Sequence, residues 1–241
     1  MRRTAAVLAL ALLTLAGCTG GEDDEPVTLT AQRDGAYAQP ASCTGLGVEA
    51  GARVKGADLA TCVDESLEAH VTGRQTLSAG QDGGVVNVTY SLGDPKGYES
   101  GGSQDFVVIG DQAWLRVEGG WVESDPDGEK DQQLAAQLAA GLTGDFVVRT
   151  DSMADSGTWR VGRPRTIELR QGGTVEDAWP VSVSAPYAAG ETTRVTRHVV
   201  WLDRTLSPVK VELDATVDGS AAQSVAEMYD LGEKITITSP Q

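Results

Sequence analysis

Histidine and cysteine are scarce in this chain, two and three respectively among 241 residues. Zinc, redox and thiol sites are built mainly from these side chains, so metal and nucleophile chemistry is limited at the outset. Bases are also few: 19 Lys and Arg stand against 35 Asp and Glu, for a net charge of −16. A surface this acidic repels phosphate backbones, which argues against nucleic acid as a partner and against a membrane contact through a broad basic face. The 5 Trp, 5 Tyr and 2 Phe are a thin aromatic supply for a core, which falls instead to Ala, Val and Leu. Charged residues at 22% and hydrophobic ones at 40% exclude wholesale disorder.

Catalytic motifs are missing too. No G-x-S-x-G elbow, HExxH or P-loop spacing occurs. His70 and His198 are the only candidate bases, and no nucleophile motif adjoins either, so they are expected on a helix end or a strand face. Asp125-Pro-Asp127-Gly-Glu129-Lys-Asp131 lacks the alternating oxygen ligands of a calcium loop and reads as a turn before a helix. Gly45-Leu-Gly47 has the wrong spacing for a dinucleotide fingerprint, and Asn87-Val-Thr89 is a chance glycosylation match. No enzyme, cofactor or metal is expected.

What is present begins with Arg2-Arg3 and an apolar run from Ala5 to Ala16. That run is shorter than the roughly 18 residues a spanning helix needs, and it reads as a secretory leader over residues 1–17. Leu15-Ala16-Gly17-Cys18 resembles a bacterial lipobox, which implies a diacylglyceryl group on Cys18 and a second acyl chain for stable anchoring. Removing Arg2 and Arg3 with the leader takes the charge down by two, to −18. The expected location is the outer face of the cytoplasmic membrane. Residues 18–27 are a polar acidic tether. With Cys18 acylated, Cys43 and Cys62 remain in an oxidising compartment, and a disulfide is the natural reading because nothing nearby completes a metal site.

Residues 28–56 have few large apolar side chains and predict an irregular extension pinned by that disulfide. A helix follows, capped by Asp58, with Leu59, Cys62, Val63, Ser66 and Leu67 on one face. The period then changes to two. Val86, Val88, Tyr90 and Leu92 alternate with polar residues, as do Val209, Val211, Leu213, Ala215 and Val217. Gly-rich and Asp-Gly turns recur between such runs, which predicts a meander of antiparallel hairpins. Leu134, Leu138 and Leu142 recur every fourth residue and mark a second helix. Residues 220–229 fit either state, and the Asp218-Gly219 turn favours a strand. The fold class is mainly β (α+β): one large curved antiparallel sheet, a half-barrel, with two or more helices on its concave apolar face.

His198-Val-Val-Trp201-Leu-Asp203 through Pro208, Tyr229-Asp-Leu-Gly232 through Pro240, and Phe106-Val-Val-Ile-Gly110-Asp-Gln-Ala-Trp114 with Trp121 resemble the LppX/LprAFG lipoproteins of actinobacteria. The resemblance covers residues 57–241 and implies a LolA-like half-barrel whose apolar cavity holds acyl chains, with a role in carrying lipid across the envelope. The implied partner is a lipid or other lipophilic molecule. Leu59, Val63, Leu67, Val86, Val88, Tyr90, Leu134, Leu138, Leu142, Val209, Val211 and Leu213 are the expected lining. The Cys43–Cys62 extension departs from the family pattern and would cover or narrow the mouth. The alternative is a half-barrel with a filled core that serves as an interaction or regulatory module.

Overall fold

The computed structural model describes residues 25–80, 84–102, 105–141 and 150–241; the leader, the lipobox with Cys18, and Leu142 lie outside them. Strand signals dominate, as the alternation requires. Strands β3 (Thr72–Ala79), β4 (Val85–Ser91), β5 (Gly97–Gly102), β6 (Phe106–Ile109), β7 (Gln112–Val117) and β8 (Gly120–Glu123) form a meander. Strands β9 (Thr158–Val161), β11 (Gly173–Val183), β13 (Thr193–Leu202), β14 (Pro208–Val217) and β15 (Ser220–Tyr229) make the other half. β15 pairs with β3 and joins the halves. Short strands β10 (Arg165–Leu169) and β12 (Tyr187–Ala188) are attached to β11 and β13. Every pairing is antiparallel, and the path ends at β8 on one side without closing into a barrel.

The other end of the path corrects the expectation for residues 28–56. β2 (Arg53–Lys55) pairs with β9 as the edge strand of the main sheet. β1 (Thr28–Ala31) pairs with β16 (Ile235–Thr238) as a separate ribbon. Both strands are too short to show a period in the sequence. The ribbon packs Leu29, Ala31, Ile235 and Ile237 on Val107, Ile109, Trp114 and Trp121. β6 is therefore covered on both faces, which explains four consecutive apolar residues that are all buried.

Helix α2 (Gly56–His70) buries Leu59, Cys62, Val63, Ser66, Leu67 and His70 at three- and four-residue spacing. Its N-cap is Lys55 and makes no side-chain capping bond, so Asp58 is not the cap; it lies in the first turn, where its charge favours the helix dipole. Gly56 is required there because a Cβ would strike the carbonyl oxygen of Met153. The short helix α1 (Ala41–Thr44) is joined to α2 by the Cys43–Cys62 disulfide, with S–S 2.10 Å and Cα atoms 4.7 Å apart. Helices α3 (Lys130–Gly141) and α4 (Thr150–Ala154) complete the set; α3 lies against β7 and β8, and α4 against α2.

Candidate functional site

One row of cross-strand partners organises the face beneath α2. Val161, Val181, Val200, Val211, Ala226, Leu77 and Val86 follow one another in register across seven strands from β9 to β4. The strand period of two puts them all on the same side, towards Leu59, Val63 and Leu67 of α2. The centre of this face is filled. Leu59, Val63, Tyr90, Tyr98, Trp159 and Met153 are fully buried and pack with Leu67, Val88 and Val211 in one cluster. Leu77, Val86, Leu138 and Val183 are only partly buried at its margin, and Leu213 is similarly placed beside Val195 and Ala215.

Two of the expected lining residues lie elsewhere. Val209 packs with Leu169, Val199 and Trp201 on the opposite face, because a register shift between Trp201 and Leu202 breaks the alternation of β14. Leu134 is 47% exposed, while α3 buries Ala135 and half-buries Leu138 and Ala139. A four-residue repeat overshoots the 3.6-residue turn, so successive leucines spiral off the contact face.

The opposite face is latched by the β10–β11 turn. Arg170 donates its backbone N–H to buried Glu227 at 2.7 Å, and the same carboxylate pairs with Lys210 at 3.2 Å. Gln171 accepts from Tyr229 Oη at 2.7 Å and donates to Asn87 at 3.0 Å. Arg165 stacks over Trp201, 4.5 Å from the ring centre.

The two histidines occupy the helix end and strand face expected of them. His70 ends α2 beside Ser207, with Nε2 2.8 Å from Ser207 Oγ, a spacing that resembles a nucleophile–base pair. The other ring nitrogen decides the matter. Nδ1 lies 2.8 Å from Arg33 Nη1, and a guanidinium can only donate, so Nδ1 accepts. Neutral His70 then carries its proton on Nε2 and donates it to Ser207, the reverse of what a general base requires. Burial and the Arg33 charge lower its pKa to about 4, which keeps the ring neutral. Tyr37 stacks on it at 4.1 Å and bonds Ser66, while Asp203 accepts from Ser207 N–H at 2.9 Å. The cluster ties the 33–37 segment and the 203–207 loop to the end of α2.

His198 lies on β13, 1% exposed, with Nδ1 2.8 Å from Tyr187 Oη and the edge of Trp159 against the ring. Nε2 has no hydrogen-bond partner among the described residues, and burial lowers the pKa to about 4. Tyr90 and Tyr98 are direct cross-strand partners; burial raises both phenols, Tyr98 to about 12. Among the described residues no group of three His, Cys, Asp or Glu side chains is placed to hold a metal ion. No described helix is long and apolar enough to cross a membrane.

Two surface grooves stand out among the described residues. One, of about 410 Å³, runs between β1 and the 91–95 turn, lined by Leu29, Ala31, Val71, Asp94, Pro95 and Lys234 among others. The other, of about 440 Å³, lies at the β2–β9–β11 edge and is lined by Arg53, Thr158, Arg160, Ser182, Val183 and Ser184. The joins through β2–β9 and β15–β3 link residues far apart in sequence, so neither the His70–Ser207 pair nor the second groove had a local sequence signal.

No protein-family model and no curated protein matches the chain. Among solved structures, LprF from Mycobacterium bovis is similar at 8% identity and a TM-score of 0.49, over 77% of this chain and 96% of that one. A putative outer membrane lipoprotein-sorting protein domain from Vibrio parahaemolyticus aligns at 10% identity and a TM-score of 0.26, over 70% and 89%. The Pseudomonas aeruginosa MucA/MucB complex aligns at 12% identity and a TM-score of 0.32, over 77% and 58%. The fold described above rests on the strand register itself.

Proposed function

We infer that this chain is a lipoprotein held through acylated Cys18 on the outer face of the cytoplasmic membrane, and that it binds a lipophilic molecule without catalysis. The observation that carries the binding step is the apolar row across seven strands, with partly buried Leu77 and Val86 at its end. The centre of the face is occupied, so the ligand lies beside α2, against Leu77, Val86, Leu138 and Leu213. Each methylene withdrawn from water contributes about 0.8 kcal/mol, so a few of them suffice for measurable affinity. Carriage of that molecule across the envelope is the role that follows for an anchored binder. The inverted His70–Ser207 hydrogen bond supports a non-enzymatic reading.

A second reading is favoured by the filled centre: an interaction or regulatory module whose sheet and helices close on each other with no ligand. Native mass spectrometry of the full chain from its own host separates the two. Binding predicts a non-covalent mass of an acyl-bearing lipid beyond the covalent anchor. A ligand-free mass in every preparation favours the module. Replacing Cys18 with alanine is expected to abolish the covalent acyl mass; an unchanged acyl mass overturns the anchor.

A further inference from the structure

The groove at the β2–β9–β11 edge carries a charge arrangement the rest of the molecule does not explain. Arg53 on β2 is the direct cross-strand partner of Arg160 on β9, and Arg160 is the partner of Ser182 on β11. The next residues, Lys55 and Thr158, are also cross-strand partners. Strand alternation puts Arg53, Lys55, Thr158, Arg160 and Ser182 on one side, opposite Val54 and buried Trp159.

None of the three cations is ion-paired among the described residues, in a chain where acids outnumber bases 35 to 19. Following the row onward from Ser182, the first carboxylate is Glu212 on β14, which Arg197 and Lys210 already engage. That is three strands beyond Arg160, roughly 14 Å at ordinary strand spacing. Like charges placed opposite each other on a sheet repel. Shielding the exposed edge of β2 from other strands accounts for Arg53 and Lys55. It does not account for Arg160, which is on a strand paired on both sides.

We propose that this groove is an anion site for a phosphate group, held between the guanidinium groups of Arg53 and Arg160 with the hydroxyls of Thr158 and Ser182 at its rim. Guanidinium forks match phosphate oxygens in pairs, and one anion between two of them turns the repulsion into attraction. The phosphate is either free or the head group of an anionic phospholipid. The site's guanidinium and hydroxyl groups lie on the side of the sheet opposite the Val161–Val181–Val200–Val211 row, so failure of either reading leaves the other intact. Because the side chains are exposed, screening over about 8 Å in physiological salt limits the affinity to the millimolar range.

The test uses the full chain in neutral maltoside detergent. Arginine side-chain N–H resonances are followed by NMR as inorganic phosphate, dihexanoyl phosphatidylglycerol or dihexanoyl phosphatidylcholine is added. Saturable shifts of Arg53 and Arg160 with phosphate or phosphatidylglycerol, and none with the zwitterionic lipid, support the site. Tighter binding of phosphatidylglycerol than of phosphate identifies a lipid head group; equal or weaker binding identifies the free anion. The R53Q/R160Q double variant is expected to weaken binding at least tenfold, and R204Q, on an arginine paired elsewhere, to leave it unchanged. The proposal is overturned by no saturable shift up to about 10 mM ligand, by binding that survives R53Q/R160Q, or by equal loss in R204Q.

Discussion

His70 donates a hydrogen bond to Ser207 across 2.8 Å, and Arg33 fixes that direction by occupying the other ring nitrogen. The bond spans 137 positions in sequence and closes the end of α2 on the loop before β14. Removing the Arg33 donor with R33M should leave backbone and fold in place, free Nδ1, and raise the His70 pKa. Proton NMR titration of the ring checks this; an unmoved pKa contradicts the assignment of Arg33 as a cause of its depression.

Acid should destabilise the protein through both histidines. Their folded-state pKa values, about 4, lie below the unfolded value of 6.5, so the unfolded chain takes up protons that the folded chain refuses. Stability is therefore full above pH 6.5, falls as pH drops towards 4, and levels off below. At about 1.4 kcal/mol per pH unit, buried His198 alone contributes a loss on the order of 3 kcal/mol. Urea unfolding at several pH values measures it. The H198F variant should flatten the slope between pH 6.5 and 4; a slope unchanged in that variant contradicts the account.

Opening the Cys43–Cys62 bridge removes a covalent loop constraint over a sequence separation of 19. The C43A/C62A variant should lose about 3 kcal/mol in urea unfolding. The segment carrying α1 should exchange its amide hydrogens faster than β13 and β14. Uniform exchange would show that the bridge is not what holds the segment to α2.

Glu227 is buried, yet it holds both the Arg170 N–H and Lys210. Truncation to alanine leaves the Arg170 N–H without its acceptor and Lys210 with Glu212 alone, and should cost about 1–3 kcal/mol. E227Q keeps an acceptor and should cost less. Equal costs would mean that the charge, not the hydrogen bond to the turn, dominates.

The strands were legible wherever one face is wet. The β14 alternation from Val211 onward, that of β4, the hairpin turn at Asp218-Gly219, and the strand reading of residues 220–229 all reappear in the register. The buried face of α2 was equally plain, since Leu59, Val63 and Leu67 recur at helical spacing. Elements of three or four residues, β1 and β2, were not, because they hold too few positions to reveal a period. Val209 was misplaced because a bulge shifts register without changing composition. The contact face of α3 was blurred by small Ala135 and Ala139, which pack more closely than the larger Leu134. Sites assembled from distant strands, such as Arg53 with Arg160, depend on pairings that no local pattern encodes.

The lipophilic face is tested most directly by adding a nitroxide-labelled fatty acid to methyl-labelled full chain and reading NMR broadening residue by residue. The account predicts saturable broadening of Leu77, Val86, Leu138 and Leu213, with Leu59 and Leu67 on the buried face of α2 much less affected. Broadening confined to exposed Leu134 and Val217, or no saturable broadening at all, would contradict it.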